Sequence, residues 1–443
     1  MTRSSRIIIQ HPKIVMLPTS LYLLLSAAVG GAVAGPVYTR QANATAAKQK
    51  VIIGGGSINK ISIAQFDGAK FNILKSAALP VQGAPTWLAF KEPNFLYSVN
   101  ENGVELSLFT VDTKTNDIKF VKSVNGSAGV VHLEFNKDKT RMVGASFGKG
   151  TIDVWKLAAD GTPELLGKPI ATNSTGATLG PNKARQEAPH AHQSVLDNSG
   201  RFFFVNDLGL DTITIVDSKD DKFKIADSIK VSPGCGPRHG AFYPATGDAT
   251  HYLLVCEMLN TVIVNKLNYT GNAGNKDKEG VPTVQPIQLI STFGEKNPPN
   301  PKAVPGAGEI AVAADGKSVY VSNRLSFDPD LKQKGRDSIA QFKATLAGEA
   351  KNLVLSFDNS VDSQGAVPRM FSLSADKDQA VLFGTNQNAG NGIAAFERSK
   401  DSGKLSLIKG SEIDYAVFAT DANKDKPGFG PQFIAGIPST VGK

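Results

Sequence analysis

Cysteine is nearly absent: Cys235 and Cys256 are the only two in 443 residues. Histidines with carboxylates are ligand types for a metal, but no C-x-x-C and no H-x-x-x-H spacing occurs to support a zinc-type centre. Neither a metal nor a cofactor is expected. The glycine run Gly54-Gly55-Gly56 follows a strand-like stretch but lacks the spacing and helix of a dinucleotide loop, and reads as a turn. Heptads and long amphipathic helices are missing. The formal charge of +8 is small and dispersed, which argues against a nucleic-acid partner.

Long hydrophobic runs are scarce as well. Leu21–Val33 is apolar but short for a bilayer span. It follows Arg3, Arg6 and Lys13, and Ala32-Val33-Ala34 offers an A-x-A cleavage site. Residues 1–34 therefore read as a secretory signal peptide in preference to an uncleaved anchor. The mature chain is expected outside the cell or in its wall, free of the membrane, with its charge reduced to +5 by loss of the three basic residues. Residues 35–50, small and polar, read as a flexible lead-in. N-x-S/T sequons at Asn43, Asn125, Asn173 and Asn268 fall outside the proposed strands and are expected to be surface glycan acceptors.

What the chain has in quantity is repetition. In GPRHGAFYPATGDATHYLLVCEMLNTVIV, from Gly236, a strand at His239–Tyr243 runs into a Pro/Gly/Asp turn. A second strand follows at His251–Val255, leading to Glu257, and a third at Thr261–Val264. The same order of strands and turns recurs from Pro85, Val130, Pro189, Gly308 and Pro368, and VIIGGGSINKISIAQFD, from Val51, reads as the tail of a seventh copy. Each copy is too small to bury its own apolar face, so the copies must pack on one another. A ring of four-stranded blades achieves this with only short edges left open. The expectation is an all-β, seven-bladed β-propeller over 51–443. Residues 171–188 and 270–307 break the rhythm and are expected as excursions on a propeller face.

Two columns of residues follow from aligning the copies. Trp87, His132, His192, His239, Glu309 and Met370 stand at the start of the first strands. Glu101, Phe147, Asp207, Glu257, Arg324 and Gln387 stand at the end of the second strands. Adjacent strands are antiparallel, so both columns converge on one mouth of the central channel. Arg238, Arg369 and the pair His190 and His192, two apart on an extended segment and able to face the same way, join them there. Arginine, histidine and glutamate in one concavity suit the binding and protonation of a carboxylated substrate.

The phrases PHAHQSVLDNSGRFFFVNDLGLD, GPRHGAFYP, VCE and YVSNR, with Arg185-Gln186 just upstream, resemble the seven-bladed propeller lactonase family over about 51–443. That family includes bacterial 6-phosphogluconolactonases and fungal carboxymuconate-lactonizing enzymes (carboxymuconate cyclases). The resemblance implies an enzyme that opens or closes a lactone, with a histidine, two arginines and a glutamate as its site. These fall on His190 or His192, Arg238, Arg324 and Glu257. Arg185, His239, Glu101, Asp207 and Arg369 are the expected substrate contacts. Ser146-Phe147 departs from the Asn-Tyr common in the family. The competing expectation is a secreted glycoprotein propeller that binds a ligand or cell surface without catalysis.

A secretory route would let Cys235 and Cys256 oxidise. Both lie at the channel mouth in this alignment. An extended chain would carry Cys235 up to ~13 Å beyond His239, whereas a turn through Pro233-Gly234 and Gly236-Pro237 would bring it back. Cys256 alternatively reads as a small buried residue in a column held mostly by asparagine.

Overall fold

The computed structural model describes residues 48–56, 59–270, 278–295, 299, 303–325, 337–424 and 426–438. The expected signal peptide, most of the lead-in and the Asn43 sequon lie outside them. The described chain forms seven antiparallel sheets arranged as the blades of a propeller, with helix confined to single turns such as Thr172–Thr175 and Tyr415–Phe418. Blades 1 to 6 begin, innermost strand first, at Leu88–Lys91, Val130–Phe135, Ala191–Leu196, Pro237–Tyr243, Gly306–Val312 and Phe371–Leu373. Blade 7 is shared between the ends of the chain. Its innermost strand, Pro431–Gly436, pairs with Gln49–Gly55 in the register Ile52 to Ala435 and Ile53 to Ile434.

Burial follows strand position within a blade. The second strands Phe202–Asp207 (FFFVND) and His251–Cys256 (HYLLVC) are buried along their whole length. Neighbouring blades cover both of their faces, so they read as continuous apolar runs. Outer strands such as Lys224–Lys230 (KIADSIK) are half-buried or exposed throughout. The apolar clusters lie between blades. Leu253, Val255 and Val264 of blade 4 pack with Val319, Val321 and Phe342 of blade 5, and Phe202 and Phe204 of blade 3 pack with Tyr252 and Leu254 of blade 4. Ile63 and Phe66 of blade 7 meet Phe383 of blade 6 and Phe109 of blade 1 in one cluster that spans the seam.

Three details differ from the sequence reading. The expected excursion 270–307 includes the outermost strand of blade 4, Thr283–Ser291, and its described end, at Val304, Pro305 and Gly306, lines the cavity at the mouth of the channel. The first strand starts at Gln49, within the expected lead-in. Asn125 and Asn268 are the last residues of strands rather than loop residues, yet both are exposed, as is Asn173.

Candidate active site

Five of the seven innermost strands carry a bulge at the same level, between Val130 and His132, Ala191 and Gln193, Pro237 and Gly240, Ala307 and Ile310, and opposite Gly54/Gly55 at Gln432. A bulge breaks strict alternation and re-aims side chains. Because of it, the neighbours Arg238 and His239 are both buried toward the channel instead of facing opposite ways.

Above this level lies a cavity of about 430 Å³, lined by Glu101, Arg185, His192, Arg238, Glu257, Arg324 and Arg369 together with Val131, Phe147, Asn182, Met258, Val304, Pro305, Gly306 and Leu325. Four arginines against two glutamates give it a positive excess. Glu257 is the hub. Its Oε2 accepts from Arg238 Nη1 at 2.8 Å and contacts Arg324 Nη2 at 2.9 Å, while its Oε1 accepts from Arg185 Nη2 at 2.6 Å. Burial pushes the Glu257 carboxyl up, but Arg324, Arg238 and Arg185 outweigh it and hold the group at about 2. Burial, reinforced by Arg324 and opposed by Glu257, draws the Arg238 guanidinium down to about 9, so it stays cationic at neutral pH. Arg369 pairs separately with Glu101 at 2.5 Å.

Local sequence explains how these groups are delivered. Arg324 lies flat on the chain of blade 5 and donates to the carbonyls of Gly306 and Ala307, both at 3.0 Å. A Cβ on Gly308 would stand 2.6 Å from Ser322 Oγ and 3.1 Å from Arg324 Nε, so the glycine is what admits the arginine. Arg185 sits on the 171–188 excursion, which Gln186 anchors by donating to the Leu208 carbonyl at 2.8 Å and accepting from Asn182 N at 3.0 Å. The Arg185 side chain is 48% exposed and marks the rim, whereas Arg238, at 5%, marks the floor.

Cys235 and Cys256 are bonded, with Cα atoms 4.5 Å apart. The turn left open by the sequence is made by Asp211, whose carboxylate accepts the N–H groups of Gly234 at 2.7 Å and Gly236 at 2.8 Å. Gly236 takes φ +62°, a left-handed conformation that suits glycine. The bond therefore ties the two chain segments that carry Arg238 and Glu257.

His192 reaches the cavity, and a guanidinium can only donate, so its Nε2 accepts from Arg238 and its proton sits on Nδ1. Burial, then the charge of Arg238, lowers its pKa well below the ordinary imidazole value, and it is neutral at pH 7.

A model of the seven-bladed β-propeller lactonase family matches residues 50–418. The chain belongs to that family. Among similar proteins, the "Probable 6-phosphogluconolactonase" of Arthroderma benhamiae is 29% identical over 81% of this lactonase-family chain and 84% of its own length. The 6-phosphogluconolactonase of Bacillus subtilis is 28% identical over 76% of this chain and 86% of its own. The periplasmic gluconolactonase of Pseudomonas aeruginosa superposes with a TM-score of 0.65 at 21% identity, covering 83% of this chain and 98% of its own, a likeness of fold.

Three of the expected site residues, His190, Asp207 and His239, stand aside from the cavity. The His190 ring stacks on Phe147 at 4.2 Å and bonds the Phe147 carbonyl at 2.8 Å and Glu187 at 3.0 Å. His192 meets the same Phe147 edge-on. The bulge between Ala191 and Gln193 is why the two histidines, two apart, do not face the same way. Asp207 is fully buried and accepts from His190 N, Leu210 N and Thr172 Oγ1 at 2.9, 2.9 and 2.6 Å, which makes it a clasp for the turn. His239 lies below the main cavity, at a small void under its floor. Glu101, Arg185, His192, Arg238, Glu257, Arg324 and Arg369 are brought together as expected.

The sequence reading passed over Met258 and Leu325, although each directly follows a residue it had singled out. It also passed over Gln432, which supplies blade 7's member of the inner ring, because that strand comes from the far end of the chain.

Proposed function

We propose that the protein hydrolyses the internal ester of a small lactone bearing a carboxylate or phosphate, at the arginine-lined cavity. The observation that carries this reading is the surplus of guanidinium groups around one ionised carboxylate, with a neutral imidazole beside them. Arg185 and Arg369 attract and hold the anionic substituent. Arg238 and Arg324, preorganised by Glu257, stabilise negative charge that develops on the carbonyl oxygen as water adds. A carboxylate held near pKa 2 is a weak base, so Glu257 orients arginines and an imidazole takes the water's proton. Expulsion of the ring oxygen and its protonation yield the hydroxy acid. A different reaction, closure of a carboxymuconate by addition of a carboxylate oxygen across its C=C bond with a proton delivered to carbon, draws on the same groups, since it too needs a held carboxylate and a placed proton. The names of the relatives support lactone chemistry, and the disulfide together with the N-terminal pattern supports an exported enzyme.

The deciding experiment assays purified protein against 6-phosphogluconolactone, unphosphorylated sugar lactones and a carboxymuconate. Turnover of any one, with anionic members favoured over a neutral lactone of the same ring, is the expected result. Binding without turnover across the panel would overturn it in favour of a non-catalytic propeller.

A further inference from the structure

Beneath the cavity floor is a second, much smaller void of about 10 Å³, bounded by Thr86, Trp87, Val131, His192, Arg238, His239, Arg369, Met370 and Gln432. That is room for a single water. Three of its lining side chains present buried polar atoms that no protein group satisfies: Thr86 Oγ1, His192 Nδ1 and Arg238 Nε. All three residues are more than nine-tenths buried. A buried void of water size with several unsatisfied polar atoms is the usual setting of a structural or reacting water.

The same void meets a histidine that is held differently from His192. His239 gives its Nδ1 to Glu309 Oε1 at 2.9 Å, and Glu309 is steadied by the Ile310 N–H at 3.0 Å. A carboxylate on Nδ1 fixes that proton and frees Nε2 as the basic nitrogen, the arrangement of a general base oriented by a third group. In His192 the basic nitrogen is already taken by Arg238. The two rings are 5.1 Å apart, edge to face, so both border the same space. Trp87 and His132 pack edge to face against His239, at 5.6 and 5.7 Å.

We infer that the void holds the nucleophilic water of lactone opening, and that His239, oriented by Glu309, is the base that accepts its proton. This rests on the lactone-opening reading above. The water oxygen bonds to the lactone carbonyl carbon, which enters from the cavity, while its proton passes to His239 Nε2. The carbonyl electron pair moves to oxygen, under the charges of Arg238 and Arg324. The intermediate then collapses, the ring C–O bond breaks, and the proton on His239 returns to the departing alkoxide. His192 acts as a positioning residue that receives Arg238 and sets its height above the water. Glu309 is a positioning residue for His239.

Four variants, checked for wild-type thermal unfolding, test this with whichever lactone the wild type opens. His239→Gln is expected to lower kcat by about 10²-fold or more, the scale of one acid–base group. Glu309→Gln keeps the shape but removes the charge that raises the basicity of His239 against burial, Arg238 and Arg324. It is expected to lower kcat by about tenfold with KM little changed, and to move the acidic limb of the kcat–pH profile to lower pH. A packing defect alone would not move that limb. Glu309→Asp is expected to restore part of the rate and return the limb toward its original position. His192→Gln is expected to act mainly on KM and to leave the limb in place. An acidic limb that disappears in His192→Gln and persists in His239→Gln overturns the assignment while leaving the enzyme a lactonase. A wild type inert on every lactone overturns the parent reading, and this assignment with it.

Discussion

At Glu257 one carboxylate answers three guanidinium groups, and removing its charge leaves Arg185, Arg238 and Arg324 facing one another. Glu257→Gln is expected to lower kcat/KM by about 10²-fold, and Arg324→Ala by a similar factor, through lost oxyanion and substrate stabilisation. Steady-state kinetics on the lactone that the wild type turns over checks both, and unchanged values would detach the cavity from catalysis. The residue types were legible in the sequence because ionisable groups in a concave site are few and strongly placed. Their division of labour was not. The resemblance left His190 and His192 as alternatives, and the bulge between Ala191 and Gln193 separates them: one ring stacks on Phe147, while the other meets it edge-on and reaches the cavity.

Strands and turns set where those residues stand. Gly308 belongs to the innermost strand of blade 5, and its bare Cα lets Arg324 lie against the backbone. Gly308→Ala is expected to displace Arg324 and lower kcat/KM by about tenfold or more, since small misplacements of charged groups cost heavily. Its thermal unfolding should move less than its kinetics, and the reverse order would contradict this role. In blade 4 the Cys235–Cys256 bond spans 21 residues. In the chain-entropy account its loss costs about 3 kcal/mol. A Cys235→Ser, Cys256→Ser double variant is therefore expected to unfold at lower denaturant concentration, and an unshifted midpoint would refute the stabilising role. Cys256 takes the position of Asn100, Asn206, Asn323 and Asn386, three of which donate to backbone carbonyls of adjoining segments. The disulfide does covalently what those amides do by hydrogen bonding.

For the whole molecule, closure of the ring and burial of charge dominate. The cluster around Ile63, Phe66, Phe109 and Phe383 forms only when Pro431–Gly436 completes blade 7. Truncation before Pro431 removes that strand and is expected to abolish cooperative unfolding, as read by circular dichroism on heating. Acid sensitivity follows from the channel. His132, His192 and His239 are buried, and burial lowers the pKa of each from 6.5. The unfolded chain therefore binds more protons just below that value, and stability falls as pH drops from 6.5. Glu257, at about 2 against an ordinary 4.5, adds a further loss as pH falls through that interval. The unfolding temperature is expected to be highest above pH 6.5 and to decline steadily toward pH 4. Burial raises Glu134 to about 7 and lifts Asp153 and Asp207, which offsets part of this loss. An unfolding temperature that rose toward pH 4 would contradict the dominance of the buried histidines.

The repeat, the blade count and the convergence of two residue columns on one mouth were readable from the chain alone. Alternation of apolar residues and recurring turn chemistry are local properties, and a ring is the arrangement that buries such units in common. Other features needed the folded chain. Bulges shift register by one residue, which is enough to turn Arg238 and His239 into the same channel, and no simple alternation rule anticipates them. Gln432 joins the inner ring only because the two ends of the chain meet in blade 7. The Cys235–Cys256 bond depended on Asp211, in the turn of a different blade, folding the chain back. In each case the deciding contact joins segments distant in sequence or breaks the period along a strand, so a local pattern could not contain it.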